Sequence, residues 1–155
     1  MGSLAGQAAA QKAEKQAVLP GAGQAADQEK NRLEVLFKDQ GDIAADLTKQ
    51  LKKTMWVHAG IIRSRKSLKT ALSVLDGLKT RACRISSPSD LIRFLEFRNM
   101  LLMGEFICRS ALERTESRGS HFRSDFPEEN DKNWLVNLRV TRKDSGQKLD
   151  KVRVG

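Results

Sequence analysis

Tyrosine is missing from this chain, tryptophan occurs twice, and histidine and cysteine occur twice each. With so few histidines and thiols, neither a converging metal-ligand set nor a nucleophile–base pair has much to be built from. Cys83 and Cys108 stand far apart, each in an apolar setting that reads as helical, which points to buried free thiols rather than a disulfide framework or zinc site. No apolar run approaches the ~20 residues needed to span a bilayer. The N-terminus has neither the basic flank nor the apolar stretch of a secretory leader. These absences lead to the expectation of a soluble cytoplasmic protein without membrane insertion, its 155 residues making one ordinary domain with an appendage.

What the chain has in excess is positive charge, +9 overall. Most of it falls within residues 41–83, where nine Lys/Arg face three Asp. Lys49, Lys52, Lys53, Arg63, Arg65, Lys66 and Lys69 form the stripe. Trp56 is its only neighbouring aromatic, so the base-stacking rings of single-strand binders are not interleaved with it. A solvated helix face is expected; the alternative is a free-standing basic helical module that binds an acidic protein or nucleic acid.

Hydrophobic spacing organises the rest. Residues 3–17 are dominated by alanine and read as a helix, with Ala5, Gly6, Ala9 and Ala13 on a face of small side chains. Residues 18–27 read as a linker. Gly21-x-Gly23-x-x-Ala26 matches a loose dinucleotide pattern, but no strand precedes it and the loop lacks its βαβ setting. A short helix is expected over residues 28–38, with Leu33, Leu36 and Phe37 on its apolar side.

Three long helices should follow. The first is capped by Asp42, carries Ile43, Leu47, Leu51 and Met55 as one stripe, and breaks at Gly60. The second, over residues 64–84, turns Leu68, Leu72, Leu75 and Leu78 inward. Ser87 and Pro88 supply the cap and first turn of the third, which reaches about Ser117. It carries one apolar row of Leu91, Leu95, Leu102 and Phe106 and a second of Ile92, Met103 and Ile107, so it should pack on more than one side. Glu105 and Arg109, one turn apart, read as a partly exposed ion pair. The β-rich run from Trp134 to Lys143, a turn at Asp144–Gly146 and the alternating segment 148–154 read as a β-hairpin needing a partner surface. The expected fold is mainly α: a three-helix, up-down-up bundle of spectrin-repeat type, with short N-terminal flanking helices and a C-terminal hairpin.

Where the third helix must stop, Arg114, Glu116, Arg118, His121, Arg123 and Asp125 crowd around Gly119 before Pro127. Gly119 suits the left-handed residue that closes a helix. The arginines suit bidentate pairing with carboxylates or phosphates, as in a hydrogen-bonded corner or a docking surface. His121 is the one credible acid–base residue, with Asp125 placed to orient its ring; a structural corner is the favoured role. His58 reads as a packed helix residue.

The order Arg114-x-Glu116-Ser-Arg118-Gly119-x-His121-x-Arg123-x-Asp125-x-Pro127, followed by acidic residues and Asn133-Trp134, resembles the C-terminal region of the succinate dehydrogenase/fumarate reductase flavoprotein family. That family includes L-aspartate oxidase and adenylylsulfate reductase. Met55-Trp56-Val-His-Ala-Gly60-Ile-Ile-Arg63-Ser64 and Glu96-Phe-Arg98-Asn99-Met100-Leu are similar to two further elements of the family, in the same order.

The resemblance implies that residues 1–17 are the tail of the last flavin-domain helix, 18–40 a linker with a short helix, 41–130 the helical C-terminal domain and 131–155 a hairpin tail. It implies FAD in the intact parent and none held by this chain alone. The implied partners are the parent's flavin-binding domain and, as a further candidate, an iron–sulfur subunit, with the parent peripheral to a membrane. Arg114, Glu116, Arg118, Gly119, His121, Arg123, Asp125 and Trp134 would then buttress an interface, with no catalytic, cofactor-binding or metal-ligating residue among them. The parent's substrate, whether succinate/fumarate, aspartate or adenylylsulfate, is left open.

Overall fold

The computed structural model describes residues 2–15, 21–143 and 146–154, which separate into a short N-terminal unit and a larger body that begins at Lys38. The N-terminal unit holds helices α1 (Gly2–Lys15) and α2 (Ala22–Glu34). The alanine-rich α1 forms as expected and has no buried residue. α2 begins six residues before the expected helix, inside the segment read as linker. The alanines from Ala22 onward favour helix, and Gly21, at φ 84°, sets the break before it. It also ends earlier, its last turn tightened by Leu36 N–H to Leu33 O (3.0 Å) and Phe37 N–H to Glu34 O (3.2 Å). The expected linker residues 18–20 lie outside the described residues.

The body is the expected bundle: α3 (Ala44–Ala59), α4 (Arg65–Lys79) and α5 (Pro88–Glu113), each in contact with the other two. Short connections make successive helices antiparallel. Leu47 and Leu51 of α3, Leu68, Ala71, Leu75 and Leu78 of α4, and Phe97, Leu101, Cys108 and Ala111 of α5 form the core. The three helices meet at Gly104, where a Cβ would lie 3.2 Å from Met55 Sδ and 3.6 Å from the Cδ1 atoms of Leu51 and Leu75. Glycine there lets α5 approach the other two closely.

Local chemistry explains most helix ends. Gly60 terminates α3. Ser64 accepts from Ser67 N–H while the Ser67 hydroxyl accepts from Ser64 N–H, a reciprocal cap for α4. Ser87 accepts from Asp90 N–H, with Pro88 in the first turn of α5. Asp42 does not cap α3, whose N-cap is Ile43. The two Asp42 carboxylate oxygens instead accept from Arg81 Nε at 2.7 Å and from one terminal nitrogen at 2.6 Å, a bidentate pair on one guanidinium edge. A bidentate guanidinium pair outcompetes one backbone N–H, and Ile43, left outside, is half exposed.

α4 ends at Lys79 rather than Arg84, because residues 82–85 are drawn into extended pairing with the chain before α3. Arg84 N–H donates to Asp42 O (2.9 Å) and Ile85 N–H to Lys38 O (2.8 Å). Cys83 thus sits in extended chain, not on a helix; it and Cys108 are both buried and free.

α5 corrects the face assignment. Its buried row is Phe97, Leu101, Gly104, Glu105, Cys108 and Ala111. Ile92, Leu102, Met103 and Ile107 are exposed, while Leu91, Leu95 and Phe106 are half-buried. Glu105 does pair with Arg109 (2.8 Å), but its carboxylate is buried because Lys79 from the end of α4 also covers it at 2.6 Å.

Strand β1 (Ile62–Arg63) lies between α3 and α4; beyond α5 come strand β2 (Phe122–Arg123), short helix α6 (Asp131–Trp134), and hairpin strands β3 (Val136–Lys143) and β4 (Gly146–Arg153). β1 and β2 pair in parallel, Ile62 with Phe122 and Arg63 with Arg123. β3 and β4 pair antiparallel from Val136–Arg153 to Lys143–Gly146. Trp134 belongs to α6 rather than to the strand. Residues 144 and 145 of the expected turn lie outside the described residues. Val140 and Leu149 face Leu72, Phe106 and Leu112 across a cavity of about 260 Å³, the partner surface the hairpin needed.

Candidate functional site: an arginine–carboxylate corner

Helix α5 leaves its last carbonyls without intrahelical donors. Arg123, whose side chain is 0% exposed, supplies them: one terminal nitrogen reaches the carbonyls of Ala111 (2.7 Å), Leu112 (3.2 Å) and Arg114 (2.9 Å). The rest of its fork grips Asp125 through two bonds of 2.8 Å. One of those Asp125 oxygens also accepts Arg65 N–H at 3.0 Å, in the first turn of α4. A cation therefore sits at the negative end of α5 and an anion at the positive end of α4, both favourable to the helix dipoles. The Arg123 hydrogen bonds, set against some desolvation, hold the Asp125 carboxyl well below the usual carboxylate range.

Glu116, wholly buried, is the second hub. It accepts from Arg114, from both Arg118 nitrogens at 3.0 Å, and from Asn130 N–H at 2.8 Å. Arg114 continues to the carbonyls of Trp134 (3.0 Å) and Val136 (2.6 Å) and stands 5.2 Å above the Trp134 ring centre. Trp134 Nε1 donates to Thr115 Oγ1 at 3.0 Å. This network ties the exit of α5 to α6 and the base of the hairpin. Burial by itself would raise the Glu116 carboxyl, but Arg118, Asn130 N–H and Arg114 outweigh it and hold the group at about 2. Its folded value is thus below the ordinary 4.5, so ionised Glu116 stabilises the fold above that pH, and the contribution is lost as pH falls toward 2. Circular dichroism of an acid titration should show the body losing stability between those two values. Glu116→Gln should be weaker at neutral pH and flatter across the same window; an unchanged acid transition would refute the assignment.

Two expectations about this segment change. Gly119 does not close α5, which ends at Glu113, short of the expected Ser117. The carboxylate hubs pull the chain out of helix, and Gly119, at φ 55°, forms the tight turn of a small hairpin. Arg118 N–H donates to His121 O (2.8 Å) and His121 N–H to Arg118 O (2.9 Å), with glycine at the first loop position, where positive φ is required. Asp125 does not orient His121, because Arg123 and Arg65 N–H occupy its oxygens. His121 Nδ1 lies instead 3.0 Å from an Arg63 terminal nitrogen, 58 residues away. A guanidinium only donates, so Nδ1 accepts, the ring is neutral and its proton sits on Nε2. Burial, and then the charges of Arg63, Arg123 and Arg114, lower the His121 pKa.

The structure thus gathers Arg114, Glu116, Arg118, Gly119, His121, Arg123 and Asp125, with Trp134, into one corner. Its charges are paired inward, and Glu116 and Arg123 are closed to solvent. Arg63, Ser117 and Asn130 belong to it and were absent from the sequence-derived set. Ser117 Oγ accepts Arg123 N–H at 2.9 Å and donates to Phe126 O at 2.8 Å. Arg63 stands in the Met55–Ser64 motif, the one signal that could have revealed it. His58 is half-buried on α3 and outside the corner.

A helical bundle whose last long helix is locked to the chain after it by an Arg–Glu–Arg–His–Arg–Asp corner is the architecture of a flavoprotein C-terminal domain. Residues 48–154 match the family described as fumarate reductase flavoprotein, C-terminal, and the chain belongs to that family. It is 35% identical over 123 residues to a component of the fumarate reductase (CoM/CoB) of Methanothermobacter marburgensis, covering 76% of this chain and 22% of that protein. It is 33% identical over 156 residues to the fumarate reductase flavoprotein subunit of Haemophilus influenzae, covering 94% of this chain and 26% of that one. The Mycobacterium smegmatis Sdh1 complex in its apo form contains a chain that superposes with a TM-score of 0.74 at 26% identity, over 85% of this chain and 24% of that one. The chain therefore spans about a quarter of the length of these relatives. Among the described residues, no helix is long and apolar enough to cross a membrane.

Proposed function

We infer that this chain serves as the helical C-terminal domain of an FAD-dependent dehydrogenase/reductase flavoprotein, packing on the flavin-binding domain, helping assembly with partner subunits, and performing no turnover alone. The observation that carries the reading is the unpartnered apolar face of α3 and α5. Trp56 is 83% exposed, Met103 55% and Ile107 43%, and Val57, Ile61 and Ile62 are exposed as well. Leu51, Met55, Trp56, Ala59, Met100, Met103 and Ile107 line an open groove of about 570 Å³ there. Clustered side chains of this kind mark an interaction surface rather than scattered exposure. The corner supports that face from behind by holding α4, α5 and β1 in register. On this reading the FAD and substrate groups are carried by the flavin-binding domain, and an iron–sulfur subunit is the further partner.

The purified chain should be colourless; a stoichiometric flavin visible spectrum would overturn the non-catalytic part. Added to the flavin-binding portion of a family relative, it should form a complex that Trp56→Asp and Met103→Asp abolish without altering its circular dichroism. The basic-module alternative is weaker, because the family match over residues 48–154 takes in the whole basic stripe and Arg63 of that stripe is held by the Gly60 carbonyl and His121. Nucleic-acid affinity falling steeply with salt would restore it.

A further inference from the structure

Every buried or half-buried cation of the corner has an anion except one. Arg114 and Arg118 share Glu116, and Arg123 holds Asp125. Arg63 is half-buried, yet its contacts are the Gly60 carbonyl and His121 Nδ1, and it has no carboxylate partner among the described residues. Withdrawing a guanidinium from water is unfavourable unless something negative repays it, and two neutral acceptors repay little. With Nε on Gly60 and one terminal nitrogen on His121, the outer edge of the fork keeps free N–H donors. Arg63 lines an open cavity of about 420 Å³ together with Arg114, Arg118, His121, Ile107, Ala111 and Leu138, and no acid lines it. Ile107 also lines the apolar groove of α3 and α5, so the two surfaces are continuous.

We propose that Arg63, positioned by His121, is the receptor for a carboxylate side chain presented by the flavin-binding domain, seated where the apolar groove runs into this cationic cavity. The proposal rests on the docking reading above and adds to it the chemistry of one contact and its place. The occupant is acidic because Arg63 has no carboxylate partner among the described residues and no acid lines the cavity, while Arg114 and Arg118 already share Glu116. It is a protein side chain because the cavity shares Ile107 with the groove that holds the exposed Trp56 and Met103, an apolar surface that a small anion would leave uncovered. The Gly60 carbonyl and His121 Nδ1 fix the fork, so little side-chain freedom remains to be lost on binding. His121 is a positioning residue here, since its Nδ1 holds Arg63 and its Nε2 is buried.

The test uses the full chain, with the flavin-loaded N-terminal portion of the Haemophilus influenzae flavoprotein as probe and association read by isothermal titration calorimetry. Arg63→Gln should weaken binding at least tenfold and reduce its salt dependence, whereas Lys66→Gln, which removes an exposed charge nearby, should change it less than twofold. Arg63→Lys should fall between, because it keeps the charge and loses the fork. Circular dichroism and the acid transition check that each variant folds. Arg63→Gln binding like the wild type, or no worse than Lys66→Gln, overturns the proposal while the docking reading survives through Trp56→Asp. A wild-type chain that does not bind overturns both.

Discussion

Arg123→Ala is expected to destabilise the body by about 3–5 kcal/mol, the range for removing one partner of a buried charge pair. The guanidinium is enclosed and satisfies three carbonyls at the end of α5 as well as both oxygens of Asp125. Alanine would leave those carbonyls without a donor and the carboxylate without a counter-charge. Asp125 would still hold Arg65 N–H, so the loss should concentrate on the end of α5 and on β2. Urea unfolding followed by circular dichroism reads the total, and amide exchange near Ala111–Arg114 reads its location. Lysine should recover less than half, because one ammonium cannot reach three carbonyls and both carboxylate oxygens in the required plane. A loss below about 1 kcal/mol, the scale of an exposed pair, would show that Arg123 is not the anchor.

Gly41→Ala should be the most damaging change outside the corner. Gly41 has φ 127°, and a Cβ there would lie 2.7 Å from the Ala82 carbonyl oxygen and 2.8–2.9 Å from the carbonyl carbons of Ala82 and Cys83. The backbone conformation alone costs a side-chain-bearing residue about 1–3 kcal/mol, and these neighbours are backbone atoms that cannot rotate away. The chain on either side is pinned, Lys38 to Ile85 and Asp42 to Ala82 and Arg84. Relief of the clash must therefore break that extended pairing and the Asp42–Arg81 pair. Thermal unfolding should shift downward, with faster amide exchange at Asp42, Arg84 and Ile85. An unchanged transition would mean that this segment moves freely, contrary to its hydrogen bonds.

These positions also show what could be read before any coordinates. The Ser64 and Ser87–Pro88 starts, the Gly60 stop and the inward leucines of α4 were all visible, because caps and one-sided periodicity depend on neighbours within a turn or two. α5 was placed but turned the wrong way. Leu91, Leu95 and Ile92 compete with Phe97, Leu101 and Cys108, and a helix apolar all round has no periodicity to break the tie. The row that packs inward is the one containing Gly104, whose missing side chain lets α3 and α4 approach. Ile92, Leu102, Met103 and Ile107 remain exposed on the opposite side.

The density of arginines and carboxylates after α5 was legible, and so was the family it marks. Its wiring was not. Asp125 lies four residues from His121 and still pairs with Arg123 and Arg65 N–H, while His121 meets Arg63 across 58 residues. Ion pairs follow distance and the geometry of planar groups, and adjacency along the chain specifies neither. Sequence alone was enough to determine a helical bundle, because periodicity and capping are local properties of the chain, and the resemblance of three motifs in order marked the flavoprotein family. Only the folded structure decided which charges hold it together and that Arg63 is left without a carboxylate partner among the described residues, because those pairings exist only once α4, α5 and strands β1 and β2 are brought into contact.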